Sequence, residues 1–238
     1  MRDHRCQVHR FTYKIYRMKY EVKSIDYQDC KEWFLKKHYA HRLPPIEFCF
    51  GLYDKEFLVG VCSYGTPVSS TLRTIISEHK LFELNRLIVN DGLPKNTLSY
   101  FVAKTIQSMP SPCVLVSYAD TTQNHHGYIY QATNWIYTGL SKKFFEYRVK
   151  GMEHLHAGTI FDISRGQENR VQWMRDKFGE DFYISERPRK HRYFYFVGNK
   201  REKKQMLKKL PYEIQPYPKG DNKRYDASYK PSIQTKLL

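Results

Sequence analysis

Apolar and polar positions along the chain follow two periods, and these periods predict helices and strands in a definite order. Apolar residues recur every three or four positions over residues 24–42, which is the spacing of one face of a helix. Two β-type runs, IEFCFGLYD and EFLVGVCSYG, come next and predict a hairpin. A polar, turn-rich stretch over residues 66–80 follows. The first third of the chain therefore predicts a helix, a hairpin and a long connection.

The middle of the chain alternates strands with helices. A polar pair, Asn85 and Arg86, interrupts the first of these strands, and Asp120 ends the second, which is apolar enough to be buried. The predicted elements are a strand over 81–89, a loop over 90–96, a helix over 97–109 and a strand over 114–120. Residues 128–139 are predicted to start as a short helix and to end in a turn.

The C-terminal part predicts weaker elements and then a tail. FFEYRVK and TIFDI are weak strand candidates, and the stronger predictions are helices over 168–179 and 200–210 and a strand over 191–198. From residue 211 the composition turns to Pro, Tyr, Lys and Asp, which predicts loose order. We therefore divide the chain into a basic N-terminal segment (1–23), a central domain (24–210) and a basic, loosely ordered tail (211–238).

The order of elements from 24 to 139 resembles the core of the GNAT acyltransferase fold, an α/β (α+β) fold with a mixed central sheet flanked by helices. In that fold a strand and the loop after it hold the pyrophosphate of acyl-coenzyme A at a helix N-terminus, where N–H groups and the helix dipole favour anions. The loop NDGLPKN lacks the Gly-rich run usual in GNAT proteins, so an ordinary strand–helix connection is the alternative. The residues that this resemblance implies for binding the acyl donor are Leu87, Val89, Lys95, Asn96 and Ser99.

Charge is concentrated at the two ends of the chain. Residues 1–44 hold 11 Lys/Arg and 5 Asp/Glu, residues 45–183 hold 14 of each, and residues 184–238 hold 15 and 5, within a net charge of +16. Excess cationic side chains attract polyanions through counterion release. The segment RPRKHRYFYF interleaves cations with aromatic rings, which lie along phosphates or stack on bases. This pattern favours a nucleic-acid partner over a solvated basic face.

Composition narrows the class of protein. Of the 238 residues 41% are hydrophobic, which is enough for a core and argues against a disordered chain. No apolar run approaches the roughly 20 residues of a membrane span, and the N-terminus has no signal-peptide core. The five cysteines include no C-x-x-C pair, so we expect buried, reduced thiols in a cytoplasm rather than a zinc site or disulfides.

Several residues carry candidate chemistry. Asp120 lies at a strand end, where ligands bind in α/β sheets, and a cap or turn role is the alternative. Arg86 is either an inward functional charge or a surface residue, and burial of its strand favours an inward charge with a partner. His38 and Tyr39 end the first helix and are alternatively packed in the core. The aromatic residues of YIYQATNWIY either pack together or line a pocket for a purine ring.

Several blocks of the chain resemble the Mom family of phage DNA-modification enzymes. They are HYAHRLP (38–44), ELNRLIVNDGLPKNTLSYF (83–101), SYADTTQNHHGYIYQATNWIYTGLS (117–141), and KHRYFYF (190–196) with the basic segment after it. The resemblance covers about residues 30–218. Its most specific piece is the long block around Asp120, because many unusual residues occur there in order.

The resemblance implies a transferase. Members of the family are similar to GNAT proteins in fold and convert adenine in double-stranded DNA to an N6-carbamoylmethyl form, which protects phage DNA from host restriction. The implied donor is acetyl-coenzyme A or another acyl or carbamoylmethyl donor, and iron is an implied cofactor. The implied site residues are His38, Tyr39, Arg86, Ser99, Asp120 and Tyr130, of which His38, Tyr39, Asp120 and Tyr130 are the implied iron ligands.

Specific roles follow from this interpretation. A paired adenine is reached most simply by base flipping, after which Asp120 can accept the N6 proton and Arg86 can hold a carbonyl or a developing negative charge. Ser99 can bind a donor phosphate. The expected partner is double-stranded DNA, with a homodimer as the candidate assembly and no membrane. The expected DNA-binding residues are Arg187, Arg189, Lys190, Arg192, Lys200, Arg201, Lys203 and Lys204.

Two other functions compete with this interpretation. A conventional GNAT N-acyltransferase acting on a protein or a small amine would need a recognisable pyrophosphate loop and would not need basic ends. A non-catalytic nucleic-acid-binding protein would use its basic tail alone, and it would leave Arg86 and Asp120 without a shared role.

Overall fold

Apolar runs of the chain form strands, and amphipathic runs form helices against them. A computed structural model describes residues 20–67, 69–76, 79–155 and 157–221. The strands are β1 (Tyr20–Ser24), β2 (Phe48–Asp54), β3 (Phe57–Gly65), β4 (Leu81–Val89), β5 (Cys113–Asp120), β6 (Ile136–Leu140), β7 (Phe144–Val149), β8 (Phe182–Arg187) and β9 (Lys190–Val197). The helices are α1 (Tyr27–Glu32), α2 (Ser70–Ile75), α3 (Thr97–Gln107), α4 (Tyr128–Ala132), α5 (Ala157–Ile163), α6 (Arg170–Phe178) and α7 (Lys200–Lys208).

Seven strands form one mixed sheet in the order β1-β2-β3-β4-β5-β9-β6. Neighbouring strands are antiparallel except β4 and β5, which run parallel with α3 as their crossover. The order of helix, hairpin, strand, helix, strand and short helix that the sequence predicts, and its resemblance to the GNAT fold with a mixed sheet flanked by helices, are therefore confirmed.

The two parallel strands pair only at their beginnings. Residues 81–83 of β4 pair with residues 114–116 of β5, and beyond them each strand pairs with its outer neighbour, β3 or β9. Ser117 closes the start of the gap, because its hydroxyl donates to the carbonyl of Leu84 at 2.7 Å. The C-terminal ends of β4 and β5 therefore flank an opening between these two central strands, where both strands finish.

A β-bulge decides which face of the sheet each β4 side chain occupies. The pairing of β4 with β3 skips Asn85, which is therefore the extra residue. Leu84, before the bulge, packs in the core under α3, whereas Ile88, after it, packs in the core under α1. Because strand side chains alternate, Arg86 shares the α1 face with Ile88.

Residues 141–189 form an insertion between β6 and β9 with a core of its own. Its strands β7 and β8 pair as a separate ribbon, and apolar side chains of the ribbon and of α5 and α6 pack together in that core. FFEYRVK is confirmed as a strand and 168–179 as a helix closed by Gly179. The strand prediction for TIFDI is wrong: the run is too short to show a period, and it forms helix α5, with Ile160 buried in the insertion's core.

Other elements differ from the sequence-based predictions in their extent. The sheet begins at Tyr20, which precedes the domain start expected at 24, and α2 lies inside the stretch 66–80. Strand β6 occupies part of the expected turn, because it pairs with β9 at the sheet edge. The first helix is shorter than expected, since α1 passes into a π-helical turn (Trp33–Lys37) and His38 is already extended.

Residues 211–221 pack on the domain as a strap rather than being loosely ordered. Tyr212 lies 3.5 Å beneath the Arg192 guanidinium, on the face that α7 covers. Tyr217, on the opposite face, donates its hydroxyl to the carbonyl of Trp135 at 2.7 Å. The strap therefore crosses the β6 edge of the sheet and is held by aromatic residues that a tail prediction based on composition does not weigh. Residues 1–19 and 222–238 lie outside the described residues.

Expectations about thiols and membranes can be compared with the described residues. Cys30, Cys49, Cys62 and Cys113 are free and buried, as predicted, while Cys6 lies outside the described residues. In the described part of the chain no helix is both long and apolar enough to span a bilayer.

Candidate active site

The loop after the first helix is fastened to the β4 bulge. Asn85 donates its side-chain N–H to the carbonyl of Pro45 at 2.7 Å. Arg86, the next residue, donates Nη2 to the carbonyl of Arg42 at 3.0 Å. The polar pair that interrupts the strand therefore positions the loop that begins at His38.

His38 is buried and neutral. Its side chain is 7% exposed, its ring stacks on Tyr39 with centroids 4.4 Å apart, and its Nδ1 accepts the backbone N–H of Ala40 at 3.1 Å. Burial, and then the positive charges of Arg86 and Lys190 among others, lower the pKa of His38 to about 3. Because Nδ1 is an acceptor, the neutral ring carries its proton on Nε2.

The groups around His38 come from both sides of the opening. Arg86 is on β4, Lys190 begins β9 beside the end of β5, and His125 lies in the loop after β5, and all three act electrostatically on His38. The ring of Tyr39 meets that of His125 edge-on, with centroids 6.4 Å apart. His38 and Tyr39 therefore lie over the opening between the diverging strands.

Asp120 ends β5 as one half of an ion pair. Its Oδ2 lies 2.9 Å from Nζ of Lys190, and its Oδ1 accepts the backbone N–H of Thr122 at 3.0 Å and the hydroxyl of Thr122 at 2.7 Å. Burial by itself raises the pKa of Asp120, but the Lys190 charge and the hydrogen bonds outweigh burial and hold that pKa below its ordinary value. Asp120 is therefore an anion at neutral pH, and it also caps the turn that follows.

Arg86 and Asp120 flank the opening on the same face of the sheet. Continuing the β4–β5 register would set Arg86 opposite Ala119, next to Asp120. Asp120 shares a face with Val116, which packs in the core that α7 covers, and Arg86 shares the α1 face with Ile88. A guanidinium and a carboxylate therefore stand on either side of the opening, with a neutral imidazole over it.

Two of the three guanidinium nitrogens of Arg86 are anchored to backbone carbonyls. Nη1 and Nη2 donate to the carbonyls of Asn85 and Arg42 at 2.7 and 3.0 Å. Nε is buried and, among the described residues, has no hydrogen-bond partner. A buried cationic donor without a partner is unfavourable, so this N–H favours a carbonyl or anionic oxygen at the opening.

Tyr130 lies behind the opening rather than in it. Its hydroxyl is 2.7 Å from Oγ of Ser117, and its ring packs against Trp135 and Tyr193 with centroids 5.2 and 5.1 Å apart. Burial raises the pKa of Tyr130 to about 12, even though the hydrogen bond to Ser117 acts in the opposite direction. Tyr130 belongs to the core on the α3 side of the sheet, away from the face of Asp120.

A groove of about 370 Å³ runs between α3, the end of α4 and β9. Of the five residues expected to bind the donor, Asn96 and Ser99 line it, and Ser99 donates its hydroxyl to the carbonyl of Asn96 at 2.9 Å. Leu87 and Val89 instead pack against the core, and exposed Lys95 lies outside the lining. The groove and the polar cluster thus lie on opposite faces of the sheet, with the β4–β5 opening between the faces.

The model of the Mom protein family matches residues 19–219 of the chain. The chain belongs to the Mom protein family. The resemblance indicated by the long block around Asp120 is therefore confirmed, and the matched range covers nearly all residues that the structure describes.

Solved structures similar to this Mom family chain include GNAT acetyltransferases. A GNAT family acetyltransferase from Bacillus cereus ATCC 10987 is 9% identical over 75% of this chain and 97% of that chain, with a TM-score of 0.40. A Bacillus subtilis acetyltransferase in complex with CoA is 10% identical over 75% of this chain and 99% of that chain, with a TM-score of 0.39. The ribosomal-protein-S5-alanine acetyltransferase from Vibrio fischeri is 11% identical over 75% of this chain and 93% of that chain, with a TM-score of 0.42. A comparison with curated proteins found no match.

The four residues implied as iron ligands in this Mom family member do not fit a common iron site. Tyr130 is held protonated on the α3 side of the sheet, Asp120 is engaged by Lys190, and Nδ1 of His38 already accepts a backbone N–H. Within the ranges that the structure describes, no three His, Cys, Asp or Glu side chains are grouped so as to hold a metal ion. The expectation of iron on His38, Tyr39, Asp120 and Tyr130 is corrected accordingly.

The basic residues expected to bind DNA divide into two groups. Arg192 is only 8% exposed and donates Nε to Oγ1 of Thr138 at 2.9 Å, so it supports the fold instead of facing a phosphate. Arg189 donates Nε to the carbonyl of Ser141 at 2.6 Å, and Lys190 pairs with Asp120. The exposed members are Arg187, Lys200, Arg201, Lys203 and Lys204.

Sequence reasoning missed the partners of the site residues. The basic pattern around Lys190 indicates a DNA contact alone, and its pairing with Asp120 follows only from the antiparallel register of β5 and β9. The pattern gives no role to His125 or Thr122. A signal for this pair exists in the sequence: β5 ends on Asp120 and β9 begins with Lys190. Antiparallel pairing sets the end of one strand beside the start of the next, so the two charges meet.

Proposed function

We propose that this protein transfers a carbamoylmethyl-type group to N6 of adenine in double-stranded DNA, the activity that the Mom family resemblance implies. The observation that carries the proposal is that three of the family-like blocks, far apart in sequence, meet at one opening. His38, Arg86 and Asp120 come from these blocks and surround the end of the β4–β5 gap. The proposed benefit is protection of phage DNA from host restriction.

Asp120 is suited to accept the N6 proton. It is anionic at neutral pH because Lys190 and Thr122 hold its pKa below the ordinary value. This weak base takes the proton as N6 becomes acidic on forming the new N–C bond. Adenine N6 is a poor nucleophile because its lone pair is shared with the ring. Removing the proton as the new N–C bond forms therefore lowers the barrier.

Arg86 is suited to hold the amide or carbonyl oxygen of the transferred group. Its buried Nε–H has no partner among the described residues, while its other two nitrogens are anchored to backbone carbonyls. A donor fixed in this way costs little reorganisation when charge develops on the oxygen. The neutral His38 ring lies over the opening beside this guanidinium and brings no charge of its own.

The groove on the α3 side is a suitable site for the donor. Asn96 and Ser99 line it near the start of α3, where an anionic phosphate is favoured by the helix dipole. Simple acyl transfer would attach a carbonyl to N6, whereas the carbamoylmethyl product is attached through a methylene carbon. A conventional GNAT N-acyltransferase that acts on a protein or a small amine is the second candidate function; the same groove favours it, and it would leave deoxyadenosine unmodified.

The experiment is mass spectrometry of nucleosides from plasmid DNA of a bacterial host that expresses the chain. Asp120→Asn removes the proton acceptor, and Asp176→Asn makes the same chemical change on exposed helix α6, away from the opening. We expect a heavier deoxyadenosine with the parent and with Asp176→Asn, and none with Asp120→Asn. Unmodified DNA from cells with abundant folded parent protein would contradict the proposal and direct attention to acyl transfer onto other amines.

A further inference from the structure

Two consecutive phenylalanines are exposed at the base of the insertion, one on each face of the ribbon. Phe144 is 56% and Phe145 is 71% exposed at the start of β7, whereas the far end of the same ribbon is buried at Val149 and Phe182. Large apolar side chains exposed together mark interaction sites more often than isolated ones do. The ribbon thus presents apolar area where the insertion joins the sheet.

Cationic side chains border these two rings. Lys142 and Lys143 precede them directly, and Arg187 is the cross-strand partner of Phe144, so the two side chains share a face. Exposed Lys143 is paired with Glu186, the cross-strand partner of Phe145, at 3.4 Å, and Lys142 and Arg187 are exposed as well. We call residues 142–145 with Arg187 the ribbon base.

The ribbon base adjoins the candidate active site. Ser141 donates its backbone N–H to the carbonyl of Lys190 at 2.7 Å, and Thr121 donates its hydroxyl to the carbonyl of Arg189 at 2.6 Å. Lys190 is also the ion-pair partner of Asp120. The charge of Arg187 acts on Tyr118, a β5 residue on the same face as Asp120, where it partly offsets the rise in the pKa of Tyr118 that burial causes.

We propose that the ribbon base enters duplex DNA beside the target adenine as a two-faced wedge, with Phe144 and Phe145 against base rings on either side of it and with Lys142 and Arg187 on phosphates. The inference rests on the proposed function, because it takes the opening at Asp120 as the place of reaction. Apolar wedges with neighbouring cations are the means by which proteins unstack a base step, and an extruded adenine leaves a space in the stack that a ring can occupy.

A polyanion fits this surface better than a protein partner does. Protein–protein contact surfaces are depleted in lysine at their centre, whereas here Lys142 and Lys143 immediately precede the exposed rings. Stacking on aromatic rings tolerates any base, and cations on phosphates carry no sequence information. The ribbon base would therefore supply affinity and base opening without choosing a sequence.

The test compares three variants of the full chain in their affinity for a short fluorescein-labelled DNA duplex. The F144A/F145A variant should raise the Kd about tenfold or more, the usual scale for lost base stacking, while leaving the salt dependence unchanged. The K142Q/R187Q variant should raise the Kd and reduce the slope of log Kd against log salt by about two. Phe57→Ala, a change at a 38% exposed phenylalanine of β3 outside the ribbon base, is the matched control and should bind as the parent does.

A second readout reports base opening. A duplex carrying 2-aminopurine in place of an adenine should brighten on binding the parent and the Phe57→Ala control, and should stay dim with F144A/F145A. Thermal unfolding of all variants should be close to that of the parent, because the altered side chains are exposed. A variant that fails to fold is replaced by F144S/F145S, which keeps a small polar side chain at the same exposed positions.

The outcomes separate this inference from the proposed function. If the parent binds duplex DNA and F144A/F145A binds equally well, the inference is wrong whatever the nucleoside analysis shows. If affinity falls in the variants but the parent leaves plasmid DNA unmodified, the ribbon base is a DNA contact and the proposed reaction fails. If F144A/F145A instead dissociates a dimer in sedimentation and leaves the Kd unchanged, the rings contact a second copy of the chain and the inference is overturned.

Discussion

At the scale of single residues, burial and neighbouring charge decide which groups at the opening are ionised. Asp120 is held as an anion by Lys190, His38 is held neutral by burial and by cations around it, and Tyr130 is held protonated on the other side of the sheet. The site therefore offers one base, one neutral ring and one guanidinium. These protonation states are testable through stability.

His38→Gln should reduce the loss of stability in acid. The pKa of His38 is about 3 in the folded protein and 6.5 in its ordinary state, so below pH 6.5 the unfolded chain binds a proton that the folded protein does not. The stabilisation is complete above pH 6.5 and is lost as the pH falls toward 3. Between pH 7.5 and pH 5 the parent should lose about 2 kcal/mol more than the variant in urea unfolding.

The control for this change is His154→Gln, since His154 is an exposed histidine of the insertion. That variant should lose as much free energy of unfolding as the parent over the same pH interval. Equal losses in the parent and in His38→Gln would show that His38 is not the buried neutral group that the structure describes.

Tyr130→Phe should lower the free energy of unfolding by about 1 kcal/mol and leave adenine modification in place, because the hydroxyl contacts Ser117 and not the opening. Ser117→Ala and the double variant complete a thermodynamic cycle, in which a coupling of similar size assigns the loss to this one contact. Loss of modification at unchanged stability would restore to Tyr130 the chemical role that the family resemblance implies.

At the scale of elements, the bulge in β4 connects the strand to the loop that carries His38. Asn85 accepts from the hydroxyl of Ser63 at 2.6 Å and donates to the carbonyl of Pro45, so it joins β3, β4 and this loop. A regular strand would send Arg86 to the α3 side of the sheet. The extra residue therefore determines that Arg86 and Asp120 share a face.

Asn85→Ala should loosen this connection. The free energy of unfolding should fall by about 2 kcal/mol, since two hydrogen bonds are lost and their partners are left partly buried. Hydrogen exchange should accelerate in residues 38–47, where the anchored loop lies. Asn169→Ala removes one hydrogen bond at the N-terminus of α6, and it should destabilise the protein without changing exchange in that loop. Unchanged exchange in Asn85→Ala would contradict the anchoring role.

At the scale of the whole molecule, the strap ties the two faces of the sheet together. It passes from Tyr212 beneath Arg192 to Tyr217 on the carbonyl of Trp135, and ends where the hydroxyl of Tyr128 donates to the carbonyl of Gly220. The strap thus covers the β6 edge, which would otherwise expose backbone groups.

Two truncations of the C-terminal part measure how much the strap stabilises the protein. Ending the chain after Leu210 should lower the melting temperature by several degrees, because the aromatic contacts and hydrogen bonds of the strap are lost. Ending it after Asp221 keeps the strap whole, so the difference in melting temperature between the two truncations measures the contribution of the strap. Equal melting temperatures for both truncations would show that the strap contributes nothing to stability.

Local pattern was sufficient for much of the fold. The strands β2 to β5 and the helix α3 follow from hydrophobic period and from punctuation by turns. The blocks around Asp120 were enough to identify the family. Elements of weak period were misjudged, such as α5 and β6, because a short apolar run acquires its structure from the neighbours that cover it.

By itself, the sequence determined the order of the main elements, the free thiols, the charged ends and the family, since each depends on residues near one another in the chain or on residue identity alone. Only the tertiary structure decided that Asp120 pairs with Lys190, that Tyr130 lies apart from Asp120, that Arg192 is buried and that the strap packs. Each of these depends on contacts between distant segments and on a one-residue bulge, whose effect on side-chain direction appears only when the strands are paired.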